Sequence, residues 1–306
     1  MSGRAEQDSK REQWISNKLK SAPQLLNDYM LSARRKTSST RKAYLGYLIQ
    51  YVNYMESIGV DIKDAKPMHI DRYIDFISDG NGNAIINAKL AAVTDFYKFL
   101  KKNGFVQTIP CDNGMKLKID KKDSVVYMTD HEVERIKRKA TESKTKYKNR
   151  DFCIITLGCA TGLRVSAIVN IDIEDINFDE GTIQVVEKGN KKRTIDIGPN
   201  TISTIKTWMA DRERICGNST GALFLSQKHN RIAVRTVQDM IHNASKGMGK
   251  HITPHKMRST CAMKLYDKTG DIYLTAQQLG HANISNTMIY ARATEDKKRE
   301  AALLLD

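Results

Sequence analysis

The period of the apolar residues changes partway along the chain, and that change restricts the fold more than any other feature. From Tyr44, the residues Leu48, Tyr51, Met55 and Ile58 follow at steps of four, three, four and three, and Ile86, Leu90, Val93, Tyr97 and Leu100 repeat the rhythm. Such spacing draws one apolar stripe on each of two α-helices. Ser38 or Ser39 is placed to cap the first, and Asn103-Gly104 to stop the second. Shorter helices fit 22–33 and 67–77. Between Asp175 and Ile197 the period is two. Asp175–Phe178, Thr182–Glu187 and Arg193–Ile197 read as strands, the last two joined across Gly189-Asn190, a hairpin signal. Helical stretches at 129–141, at 149–157 and after Pro199 flank them. The expectation is a mainly α chain with a small antiparallel β-sheet confined to its second half.

At ~150 residues per domain, 306 residues make about two domains, each able to bury a core. Residues 1–20 read as a basic, irregular leader, with Trp14 and Ile15 able to anchor a short helix. Residues 21–106 read as a four-helix domain whose stripe tyrosines belong to the core. Residues 107–124 carry Pro110, Gly114 and the lysines Lys116, Lys118, Lys121 and Lys122, and read as a basic linker. Residues 125–306 form the second domain and end in an apolar tail, Ala301 to Leu305, that needs a surface to dock on.

Fifty Lys and Arg against 35 Asp and Glu leave a formal charge of +15. A surplus of that size favours a polyanionic partner, because each cation placed on a phosphate releases a condensed counterion. A 40% hydrophobic and 28% charged composition excludes disordered and collagen-like chains. The five cysteines, Cys111, Cys153, Cys159, Cys216 and Cys261, are odd in number and contain no CxxC pair, so neither a disulfide frame nor a zinc site is expected. No apolar run approaches the ~20 residues of a membrane span, and residues 1–20 lack a signal-peptide core. A cytoplasmic location without membrane partners is expected.

Three segments carry residues suited to chemistry on an anion. In Thr253-Pro254-His255-Lys256-Met257-Arg258, Thr253 is placed to cap a helix and Pro254 suits its first position, so His255 and Arg258 share a face near free N–H groups. Leu279-Gly280-His281 precedes Tyr290 by nine residues, with Gly280 ending one helix and Ser285 able to cap the next. Ala160-Thr161-Gly162-Leu163-Arg164 places an arginine in the first turn of another helix. Each pattern alone is common on protein surfaces.

Their combination is not. The motifs ATGLR, EKGNKKR, TPHKMR, LGHANIS and MIYAR, in that order and spacing, resemble the tyrosine recombinase family of phage integrases, Cre and Xer proteins. The resemblance covers about 125–295, and the first half only in architecture. It implies an all-α, SAM-like core-binding domain and an α+β catalytic domain, clamped on opposite sides of a DNA duplex. It also implies site-specific DNA cleavage and rejoining through a 3′-phosphotyrosine, without metal, ATP or other cofactor. Tyr290 would be the nucleophile and His255 its base, since a phenol with a pKa near 10 attacks poorly until its proton is taken. Arg164 and Arg258 would hold the non-bridging oxygens, with His281 donating a further hydrogen bond. The leaving 5′-oxygen needs an acid. Composition leaves Lys188, Lys191 and Lys192 open for it, and the resemblance favours Lys188; Lys191 and Lys192 then join the linker lysines as candidate DNA contacts.

Two positions depart from the family pattern. Ala167 stands where many relatives carry an acidic residue, and Ser259 where Xer-type relatives often carry histidine. Neither transfers the phosphoryl group. Together they favour the integrase of a mobile element over an Xer-type dimer resolvase. A type IB topoisomerase and a catalytically silent DNA-binding protein are the rivals of other kinds. Strand exchange implies a homotetramer on two DNA sites, built from monomers or dimers, with the tail docking on a neighbouring copy. A bacterial, nucleoid-associated enzyme with an accessory or directionality protein fits that picture.

Overall fold

A computed structural model describes residues 3–119, 126–186, 192–217, 220–281 and 283–292. Lys121, Lys122, Lys188, Lys191, the Gly189-Asn190 turn and the tail from Ala301 lie outside the described residues. The chain divides into two compact units, Met1–Lys121 and Lys122–Asp306.

The first unit is entirely helical: α1 (Gly3–Leu19), α2 (Gln24–Ser32), α3 (Ser38–Ser57), α4 (Pro67–Ser78) and α5 (Asn83–Lys102). Helix α1 corrects the expectation of an irregular leader and raises the helix count to five. It has few apolar residues, but Ile15 is buried and Trp14 and Leu19 pack beside it on the core. Polar pairs complete the contact with α3, since Arg41 reaches both carboxylate oxygens of Glu12 at 2.7 and 2.8 Å and Ser38 donates to Asp8 at 2.5 Å. That donation engages the hydroxyl expected to cap α3. Thr37, one residue earlier, is the cap and accepts the Thr40 N–H.

In α3, Leu48, Tyr51 and Met55 are buried together with Leu45 and Val52, whereas Tyr44 is half-buried and Ile58 is exposed. The whole α5 stripe from Ile86 to Leu100 is buried, and the helix stops at Asn103 with Gly104 at φ 76°. The buried tyrosines bond to one another: Tyr51 donates to Tyr97 at 2.7 Å, and Tyr97 donates to the Ile62 carbonyl at 2.8 Å. Part of the segment read as linker is fastened to this unit. Ile109, Cys111, Met115 and Leu117 pack on its core, and the Asn87 side chain bonds both backbone groups of Leu117 at 2.8 and 2.9 Å. Lys116 and Lys118 therefore sit exposed on a strap bound to α5.

The second unit contains α6 (Asp130–Glu142), α7 (Lys148–Thr161), α8 (Val165–Val169), β1 (Ile176–Asn177), β2 (Thr182–Val186) and β3 (Lys192–Asp196). It continues with α9 (Pro199–Cys216), α10 (Val234–Ala244), α11 (Pro254–Thr269), α12 (Ile272–Leu279) and α13 (Met288–Arg292). The three strands pair antiparallel in chain order, and Ile183, Val185 and Ile195 turn one face of the sheet into the core. Helix α7 is the axis, buried along most of its length between α6, α9 and α11. Met257 of α11 lies over the bare backbone of Gly158, where a Cβ would be 2.7 Å from its Cε. No described helix is long and apolar enough to cross a membrane.

Candidate active site

Two helix C-termini meet at one buried arginine. Helix α7 ends on Gly162 and α12 on Gly280, both left-handed, at φ 65° and 64°. Their last carbonyls have no partner within the helix and carry the negative end of its dipole. Arg258, from the second turn of α11 and only 2% exposed, donates Nη1 to the Gly162 carbonyl at 2.7 Å and Nη2 to the Leu279 carbonyl at 2.6 Å. A side chain at Gly162 would be strained by φ 65°, and its Cβ would sit 2.7 Å from Leu279 Cδ2. Arg258 is thus a cation and also the pin that joins three helices.

The remaining site residues leave from these ends. Arg164 follows Gly162 by two residues and is exposed; it occupies the N-cap position of α8, one residue before the helix in which it was expected. His281 follows Gly280 immediately, and the turn is a Schellman motif, with the His281 N–H on the Ala276 carbonyl and the Gly280 N–H on that of Gln277. His255 is the second residue of α11 and exposed. Thr253 holds the N-cap position there, although its side chain makes no capping bond.

The four basic residues feel one another. Desolvation first, then the charges of Arg258, Arg164 and His255, push His281 down to about 4. His255 is lowered from its usual value by desolvation and by Arg258, Lys256 and Arg164. Both imidazoles are therefore neutral at pH 7, each with one nitrogen able to accept a proton. A tetrahedral oxyanion among these groups would relieve their mutual repulsion and take hydrogen bonds from each.

Tyr290 is carried by the five-residue α13 and is 4% exposed, packed with Ala262, Met263 and Leu279 and against Tyr127. Ser285 does not cap α13; it lies in a 3₁₀ turn whose start is capped by Asn283. Lys192 opens β3 and is exposed.

Two residues that hold this arrangement were not singled out from the sequence. Arg193, next along β3, donates Nη1 to the carbonyls of Gln277 and Gln278 at 2.8 and 2.9 Å, tying the hairpin to the end of α12. The Thr287 hydroxyl lies 2.7 Å from Nδ1 of His281. Local patterning marks neither, because both act on backbone or ring atoms brought close only by folding. Ala167 and Ser259 are both buried, Ala167 within the apolar core of the unit. Among the described residues no group of three His, Cys, Asp or Glu side chains is placed to hold a metal ion.

Comparison with known proteins agrees with the geometry. Residues 126–297 match the phage integrase family, and residues 24–104 match the N-terminal SAM-like domain of phage integrases. Tyrosine recombinase XerC of Caldanaerobacter subterraneus subsp. tengcongensis is 30% identical over 301 residues, covering 90% of this chain and 83% of that protein. Among solved structures, the XerH site-specific recombinase bound to its difH substrate superposes with a TM-score of 0.75 at 20% identity, covering 96% of this chain and 88% of the other. The Tn1549 transposon integrase in complex with a circular intermediate DNA gives 0.69 at 19% identity, covering 92% and 98%. The family match spans more than half the chain and takes in Arg164, His255, Arg258, His281 and Tyr290, so the chain belongs to the phage integrase family and is a site-specific tyrosine recombinase.

Proposed function

We propose that this recombinase cuts and rejoins double-stranded DNA through a 3′-phosphotyrosine on Tyr290. The observation that carries the reading is the convergence of Arg164, His255, Arg258 and His281, from three separate stretches of chain, into one field that depresses both histidines. In the proposed step the Tyr290 oxygen bonds to phosphorus while its proton passes to neutral His255. The bond to the 5′-oxygen breaks, and Lys188 supplies that oxygen's proton. Arg164, Arg258 and His281 hold the charge that gathers on the non-bridging oxygens. The ester bond energy is kept in the phosphotyrosine, so the reverse step can join a partner strand. Exposed Lys116, Lys118 and Lys192 are assigned to DNA backbone contacts, together with Lys121, Lys122 and Lys191.

Exchange between two duplexes needs four copies, and the apolar tail from Ala301 is assigned to contacts between them. Ala167 and Ser259 motivate the role of mobile-element integrase, and the Tn1549 integrase is a structural neighbour in keeping with it. A second reading, an Xer-type resolvase of chromosome or plasmid dimers, is favoured by the XerC relative. Inverted repeats flanking the gene would support the first, and accumulation of chromosome dimers on its deletion the second.

The direct test is a nicked DNA carrying the cognate site. A covalent adduct that disappears in Tyr290→Phe, with joined products from two duplexes, is expected. Relaxation of a supercoiled plasmid without exchange would indicate topoisomerase chemistry, and binding without adduct a silent protein.

A further inference from the structure

Thr287 stands between His281 and Tyr290 and is fully buried. Its Oγ1 lies 2.7 Å from Nδ1 of His281, and its carbonyl accepts the Tyr290 N–H at 2.9 Å. We propose that Thr287 is a positioning residue whose hydroxyl donates to Nδ1 and holds His281 in its Nε2–H form. The proposal rests on the reading above, in which His281 donates to the scissile phosphate.

A neutral imidazole has one donor nitrogen and one acceptor. Phosphate oxygens only accept, so the nitrogen facing them must carry the hydrogen. Nδ1 is occupied by Thr287, which leaves Nε2 for the phosphate. The opposite tautomer would aim a lone pair at the phosphate oxygen and repel it. A hydroxyl can donate or accept, but Thr287 is fully buried and Nδ1 is the partner of its Oγ1 among the described residues, so accepting from Nδ1–H would leave the hydroxyl hydrogen without an acceptor, whereas donating to Nδ1 satisfies both atoms. Desolvation and the nearby cations keep the ring neutral at pH 7, so the tautomer, and not the charge, decides what His281 can do.

The test is nitrogen NMR of the full chain labelled with 15N-histidine, with the His281 signals identified by their loss in His281→Gln. At pH 7 the wild-type ring is expected to show a protonated Nε2 and a bare Nδ1. Thr287→Val, close in volume, should let the ring populate both tautomers and lower adduct formation about tenfold with DNA binding unchanged. Thr287→Ser should restore the spectrum and the rate. A proton on Nδ1 in the wild type overturns the proposal before any variant is needed, and so does a folded Thr287→Val with the wild-type spectrum. Failure of the wild type to form any adduct with DNA would instead sink the recombination reading, and the spectrum would still decide the role of Thr287.

Discussion

In the core of the helical unit tyrosine hydroxyls make the long-range hydrogen bonds, whereas in the catalytic unit buried guanidinium groups bond backbone carbonyls far along the chain. Tyr51, Tyr97 and the Ile62 carbonyl form a neutral chain in the first, and Tyr29 donates to Asp95 at 2.5 Å. In the second, buried Arg150 bonds Asp151 and the Leu225 carbonyl, buried Arg212 bonds the carbonyls of Ala222 and Gly217, and Arg258 joins two helix ends. The contrast follows from the backbone. Helices linked by short turns leave few interior carbonyls unpaired, whereas the breaks after α7, α9 and α12 leave several, and a five-donor cation can satisfy them. A consequence is that positive charge is built into the catalytic core, so part of the +15 surplus serves the fold and not the surface.

Arg258 is where the contrast is sharpest. Arg258→Ala should abolish adduct formation and, by orphaning the Gly162 and Leu279 carbonyls, destabilise the catalytic unit by about 3 kcal/mol in urea unfolding. Lysine at that position keeps a charge but cannot reach both carbonyls, so Arg258→Lys should still lose at least about a hundredfold in cleavage. If Arg258→Ala unfolds at the wild-type urea concentration, the pinning role is wrong.

Two left-handed glycines compare the units directly. Gly162→Ala combines an unfavourable φ with a clash against Leu279 and should cost about 3 kcal/mol. Gly104→Ala, at φ 76° with open space around its Cβ, should cost about 1 kcal/mol. Equal losses on thermal or urea unfolding would mean that the α7–α12 contact is not tight. On the phenol side, Tyr97→Phe should cost about 1.5 kcal/mol through the Tyr51 and Ile62 bonds while leaving cleavage unchanged.

Acid should separate the units as well. His281 binds its proton less readily folded than unfolded, so between pH 6.5 and about 4 the unfolded chain takes up a proton that the folded chain does not. This contribution to stability is complete above pH 6.5 and is lost as pH falls through that window. His281→Gln should flatten the decline in urea midpoints, and an unaltered pH profile would remove His281 as its cause. The smallest effect belongs to the strap: Lys116→Ala should reduce the salt slope of DNA binding by about one counterion, with cleavage at saturation unchanged.

Much of this molecule could be read from residue order because its signals are local. A stripe at helical spacing buries the same face whatever it packs on, so the α5 stripe from Ile86 to Leu100 is buried as expected. Period two places the strands, and the glycines at 104 and 280 mark where helices stop, because the left-handed turn that ends a helix suits a residue without a side chain, whereas α7 runs past the expected 157 to Thr161. The motif order also nominates Arg164, Lys188, His255, Arg258, His281 and Tyr290 as one catalytic set. Helix α1 escaped that reading because its hold on α3 depends on pairs such as Glu12–Arg41, which have no period along the chain. Docking of the Leu117 strap on Asn87 escaped it for the same reason. Only folding could show that Arg258 pins two helix ends, that Arg193 ties β3 to α12, and that Thr287 meets His281. A side chain's partner across the fold is set by backbone atoms distant in sequence, and those atoms become neighbours only when α7, α11 and α12 are packed together.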